Sequence, residues 1–222
     1  DTARGYTVSE EYLGIGLEGI REHFVLATKS MSRTAEAMAK DIDISLKNLR
    51  TDYIDLYQIH NAPPADVEKV CSPGGAMEAL TAAKKAGKIG HIGITAHSLE
   101  TFRMALELPW VETIMFPYNI VEDQAKELIH VCAEKNTGFI AMKPLAGGAI
   151  EDAVTALRYV CANPDVTVVI PGMADIAELN QNLAAVNDSS PLSVEEEAKM
   201  RAIRDALGTQ FCRRCNYCQP CS

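Results

Sequence analysis

The sequence predicts an α/β protein of the (β/α)8 barrel type on three observations. Short β-rich apolar runs alternate with longer segments of helical spacing, the gaps between runs are long enough for a crossover helix, and no run is followed by a glycine-rich GxGxxG turn. The first two observations call for parallel strands, which need a connection of a dozen or more residues. The third removes the main sign of a doubly wound dinucleotide-binding sheet. With 47% hydrophobic and 23% charged residues, the 222-residue chain has the apolar content for one main core.

Taken in order, the chain opens on the tail of an earlier strand at Asp1, and a helix follows near residues 8–20. Strands are expected at 24–27, 53–59, 89–95, 112–116, 138–142 and 166–170. Helices are expected near 34–49, 75–86, 98–107, 122–136, 150–162, 175–186 and 193–207. Ser9, Ser98 and Ser193 read as helix caps, Ser193 standing three residues before Glu196 in a capping-box arrangement, and Gly87 and Gly138 read as helix ends. The stretch 61–75, with Cys71 and three prolines, reads as a loop bordering a pocket, and 187–191 as a loop before the last helix.

A formal net charge of -9, without clustered Lys and Arg, argues against a general nucleic-acid binder. The sequence has no apolar run of about 18 residues and no basic-then-apolar start, so the expected location is cytoplasmic. Four of the seven cysteines lie in the last eleven residues. Cys71, Cys132 and Cys161 are scattered, and the last two fit helical patterns as small buried residues.

In such a barrel, chemistry sits at the C-terminal ends of the strands. Asp1 and Tyr6 follow the opening strand, Lys29 follows FVLAT, and His60 follows YIDLYQI; Thr95, His97, Asn119 and Lys143 hold the corresponding places later. The first four suit carbonyl reduction. A tyrosine can give a proton to the carbonyl oxygen while hydride reaches carbon, and a nearby lysine ammonium favours the phenolate left behind. An aspartate can hold that lysine, and a histidine can orient the substrate oxygen by a hydrogen bond.

The segments DTARGY (1–6), ATK (27–29) and QIH (58–60) resemble the catalytic Asp, Tyr, Lys, His pattern of the aldo/keto reductase superfamily. TDYIDLY (51–57) and GKIGHIGI (87–94) are similar to that family too, and the resemblance runs to about residue 186. It implies a (β/α)8 barrel that uses NAD or NADP without a Rossmann domain, on a small-molecule carbonyl or alcohol substrate. By the same resemblance, Thr95 and His97 stand where the nicotinamide carboxamide is held, with Ala96 in place of an expected asparagine. Met115 and Met142 replace an expected glutamine and tyrosine. Lys143, Pro144, Leu145 and Gly147 resemble the loop under the pyrophosphate, with Asn119 nearby. Gly172, Glu178 and Asn182 stand toward the adenosine, where the lack of Lys or Arg leads to the expectation that NAD is used at least as well as NADP.

Cys212, Cys215, Cys218 and Cys221 form CxxCxxCxxC. Thiolates at this spacing can converge on one inorganic centre, and residues 215–221 resemble the ferredoxin-like extension of one branch of the same superfamily, which implies a 4Fe-4S cluster. Zinc is the rival, although structural zinc usually joins two CxxC pairs across a longer loop. The expected organisation is therefore a barrel at 1–208 lacking its first strand-helix unit, and the start of an iron-sulfur segment at 209–222. A chain so truncated is expected to be poorly stable and weakly active alone. Besides a reductase, the pattern leaves open an electron-transfer protein with a redox partner, and a non-catalytic binding scaffold.

Overall fold

In the computed structural model, which describes residues 1–208, the β-rich runs form parallel strands and the segments between them form helices. Two units divide the chain, Asp1–Met115 and the residues from Phe116 onward.

The first unit runs α1 (Ser9–Gly16), β1 (Ala27–Ser30), α2 (Ala35–Asn48), β2 (Ile54–Ile59), α3 (Pro64–Cys71), α4 (Ala76–Lys85), β3 (Ile89–Thr95), α5 (Leu99–Leu106) and the start of β4 (Thr113–Pro117). Each strand's neighbour is the next one in the chain, and all pair in parallel. Thr2 N donates to Ala27 O and Arg4 N to Lys29 O, both at 2.9 Å, so the opening residues bond along β1 with the two-residue step of a parallel ladder. Ile54, Ile59, Ile94 and Ile114 from the strands and Met38, Leu80 and Phe102 from the helices are all fully buried. Burying each is worth about 1.5–3 kcal/mol. Gly93 is required between β2 and β4: a Cβ there would lie 2.1 Å from Thr113 Oγ1.

Three expectations for this unit need correction. The strand placed at 24–27 lies at Ala27–Ser30, because Arg21 donates to the carbonyl oxygens of Phe24 and Tyr53 and to Asp55, and leaves Phe24 and Val25 in solvent. The stretch 61–75 contains α3, with Pro64 in the first turn, where a fixed φ and a missing N–H cost nothing, and with Val67 and Val70 buried. Ser9 is no cap: its hydroxyl instead accepts a hydrogen bond from Thr2 Oγ1 at 2.7 Å, and Val8 holds the cap position. Ser98 does cap its helix, accepting from Thr101 N.

The second unit contains α6 (Lys126–Glu134), β5 (Gly138–Met142), α7 (Ala153–Cys161), β6 (Val168–Ile170), α8 (Ile176–Asn187) and α9 (Val194–Leu207). β5 and β6 pair in parallel, Ile140 opposite Val168 and Met142 opposite Ile170. Helix α6 starts four residues later than the sequence suggested, because Asn119 Oδ1 accepts from Val121 N and Glu122 N and closes a turn first. Gly138 opens β5 rather than ending a helix; Asn136 takes the left-handed conformation after α6, at φ 56°. The Ser193–Glu196 capping box is present. Arg158, 4% exposed on α7, donates to Glu196 and to the carbonyl oxygens of Asp188 and Ser190, which fixes the loop before α9. Cys132 is buried and its thiol is pushed up to about 12, whereas Cys161, expected to be buried, is exposed. Among the described residues, no helix is long and apolar enough to cross a membrane.

Candidate active site

Strand β1 is buried along its whole length and carries Lys29 at 2% exposure. Its Nζ donates to Asp1 Oδ2 and to Thr2 O, both at 2.7 Å. The same nitrogen lies 5.1 Å from the centroid of the Tyr6 ring. Tyr6 meets the His60 ring edge-on, with centroids 5.7 Å apart and planes at 84°. The four residues singled out at the ends of adjacent strands are therefore brought together. Lys29 lies inside its strand rather than past it, and the shifted β1 accounts for the difference.

Electrostatics follow from this burial. Desolvation outweighs the Asp1 pairing and lowers the Lys29 ammonium to about 7. His60 falls to about 4, first by desolvation and then by the charges of Lys29, Arg33 and His97, so its ring is neutral at neutral pH. Its Nδ1 is buried with no hydrogen-bond partner among the described residues. A neutral imidazole beside an exposed phenol can donate one hydrogen bond to an oxygen placed between them.

Two supports were not read from the sequence. Glu10, 1% exposed on α1, accepts from Arg4 Nη1 (3.0 Å), Thr28 Oγ1 (2.8 Å), Ser45 Oγ (2.7 Å) and Asn48 Nδ2 (3.2 Å). It ties the Asp1–Tyr6 stretch to β1 and α2. Arg33, also buried, bonds to the end of β2. Glu10 and Gly14, four residues apart, are the buried residues of α1, and no linear pattern marks the carboxylate among them.

Of the residues assigned to a cofactor, Thr95 and His97 lie in the first unit. The Thr95 hydroxyl, 2% exposed, accepts from Asn61 N at 2.7 Å and keeps its own proton to donate. His97 is exposed and Ala96 is buried.

The second unit holds the rest. Asn119 has no amide capacity to spare: Nδ2 donates to Glu122 and to Lys143 O, and Oδ1 accepts from two backbone N–H groups. The amide thereby builds the turn between β4 and α6. Lys143, Ala146, Gly147 and Gly148 all have positive φ, so the loop after β5 is sharply coiled. Ala146 N and Gly148 N donate to the loop's own Lys143 and Leu145 carbonyls. Pro144 and Leu145 form the entry to this turn. Gly172 stands in open space, Glu178 is exposed and accepts from Ala174 N at 2.6 Å, and Asn182 is buried in α8. The cysteines 212, 215, 218 and 221 lie outside the described residues. Among those described, no group of three or more His, Cys, Asp or Glu side chains could hold a metal ion.

The model of the aldo/keto reductase family matches residues 1–155. L-galactose dehydrogenase of Arabidopsis thaliana is 26% identical over 238 residues, covering 87% of this chain and 74% of the relative. The chain spans 74%, 56% and 43% of the lengths of the first three curated relatives it matches. Among solved structures, the aldo-keto reductase of Bacillus halodurans in its holo form superposes with a TM-score of 0.78 at 24% identity, covering 91% of this chain and 81% of that one. An aldo/keto reductase of Klebsiella pneumoniae, in complex with NADP and acetate, gives a TM-score of 0.76 at 24% identity, covering 91% and 78%. These likenesses show the fold, and the parallel strand-helix order fits part of a (β/α)8 barrel.

Proposed function

Because the chain belongs to the aldo/keto reductase family, we propose that it carries the catalytic part of an NAD(P)-dependent oxidoreductase that interconverts an aldehyde or ketone and its alcohol, with Tyr6 as the proton donor. The observation that carries this reading is the chain of contacts from Asp1 through Lys29 to Tyr6 and His60. The nicotinamide cofactor supplies hydride to the carbonyl carbon when bound. Tyr6 gives its hydroxyl proton to the carbonyl oxygen, the Lys29 charge stabilises the phenolate that remains, and Asp1 keeps the Lys29 side chain extended toward the ring. His60, neutral, donates to the same oxygen and fixes its direction.

The residues present fit the cofactor in part. Thr95 has a hydroxyl proton to offer an amide, and Lys143 an ammonium to offer a phosphate. Support for NADP as a ligand of this fold comes from the Klebsiella relative. The four cysteines of the closing segment have the donor chemistry of a 4Fe-4S cluster, and a brown preparation with iron and acid-labile sulfide in equal amounts supports it, whereas a colourless, zinc-containing one reverses it.

Tyr6→Phe tests the catalytic reading. Turnover should fall at least about 100-fold, the usual contribution of a positioned acid, while NADPH binding, read by fluorescence titration, stays within about twofold. Unchanged turnover removes Tyr6 from the reaction.

A further inference from the structure

We propose that Arg33 is the positioning residue for His60, clamping the end of β2 to α3. Its side chain, 8% exposed, makes three contacts that meet at this point: Nη2 donates to His60 O at 2.7 Å and to Asn61 O at 3.2 Å, and Nε donates to Asp66 Oδ2 at 2.8 Å. Two of these are carbonyls of the residue that bears the imidazole and of its successor, and the third is on α3. Asn61 follows in the left-handed conformation, φ 48°, and its N–H is held by Thr95 Oγ1. The direction of the His60 side chain is therefore fixed from one side by β3 and from the other by a guanidinium.

The ion pair is one-sided. Arg33 Nη1 is buried and has no hydrogen-bond partner among the described residues, and the single carboxylate on this group, Asp66, is itself 34% exposed. A cation so incompletely neutralised leaves net positive potential at the imidazole. The other groups that face His60 are Lys29 from β1, paired with Asp1, His97 from the segment after β3, and the Tyr6 phenol. Arg33 and Lys29 thus act in the same sense, against protonation of the ring. Arginine is the residue for this task because its planar fork holds two carbonyls and a carboxylate at once, which an ammonium on a flexible stem does not.

The inference rests on the reading of His60 as the carbonyl donor, so its test separates the two. The full chain, with isotope-labelled histidine, is titrated by NMR, and the His60 signal is assigned by its loss in His60→Gln. Arg33→Gln should raise the His60 pKa by about half a unit and lower kcat roughly tenfold through the misplaced ring, with the KM for cofactor unchanged. Arg33→Lys should restore the pKa but not kcat. Asp66→Asn, which keeps the arginine and removes its counter-charge, should move the His60 pKa in the opposite direction, downward, and it carries the test if Arg33→Gln does not fold. An unchanged His60 pKa in Arg33→Gln, or an upward shift in Asp66→Asn, overturns the inference. Should the pKa shifts appear while Tyr6→Phe leaves turnover intact, the catalytic reading fails and the coupling of Arg33 to His60 stands.

Discussion

The two units treat their candidate residues in opposite ways. In Asp1–Met115 the proposed reacting groups are bonded to one another or to buried supports: Lys29 to Asp1, Tyr6 against His60, and both behind the Glu10 and Arg33 networks. In the second unit the candidates are scattered. Asn119 bonds within its own turn, Glu178 serves its helix start, and Gly172 has open space where a side chain would stand. Groups that must move protons are held before any ligand arrives, since misplacement costs rate steeply. Groups that only bind can wait for the ligand to order them.

The largest expected effect breaks the first unit. Glu10→Ala leaves the Arg4 guanidinium and three other donors without their acceptor, and should cost about 3 kcal/mol of stability, read by urea denaturation. A loss below about 1 kcal/mol would show that the buried carboxylate is replaceable by water.

A pH series sharpens the same side. Lys29 titrates at about 7 when folded and at its ordinary 10.5 when unfolded. Between these values the unfolded chain binds more protons than the folded one, so stability rises with pH across that window and is lost as pH falls toward 7. Chemical denaturation at pH 7 and pH 9 should show this rise, and Lys29→Met should flatten it. Equal slopes in the two proteins would mean the ammonium is not desolvated.

The smallest effect belongs to the second unit. Glu178→Gln should leave stability within about 0.5 kcal/mol, as expected for an exposed position, and lower the KM for NADP a few-fold against that for NAD by removing a carboxylate near the proposed 2'-phosphate. An unaltered ratio removes Glu178 from cofactor choice.

What the sequence carried well was periodic. Strands at 89–95 and 138–142 fell where the sequence put them, because both are largely apolar runs preceded by a turn. Boundaries failed where one side chain decided them. Arg21 takes the carbonyl of Phe24 and delays β1, Asn119 delays α6, and the Pro63–Pro64 pair disguised a helix start as a loop. At the site, Lys29 and His60 stood out as polar residues late in apolar runs, whereas Tyr6, after the polar DTARG, stood out by the resemblance of that segment. Glu10 and Arg33 did not, since nothing in a linear pattern says that a charged side chain will be buried by partners 18 to 38 residues away.

The Glu10 carboxylate also has a consequence for local opening. Its four donors come from the stretch before α1, from β1 and from two turns of α2. None of these segments can detach without stranding a charge, so they should exchange their amide hydrogens as one block rather than fray singly. The tyrosine loop would then share the opening rate of the strand beside it, giving a surface segment the protection of an interior one.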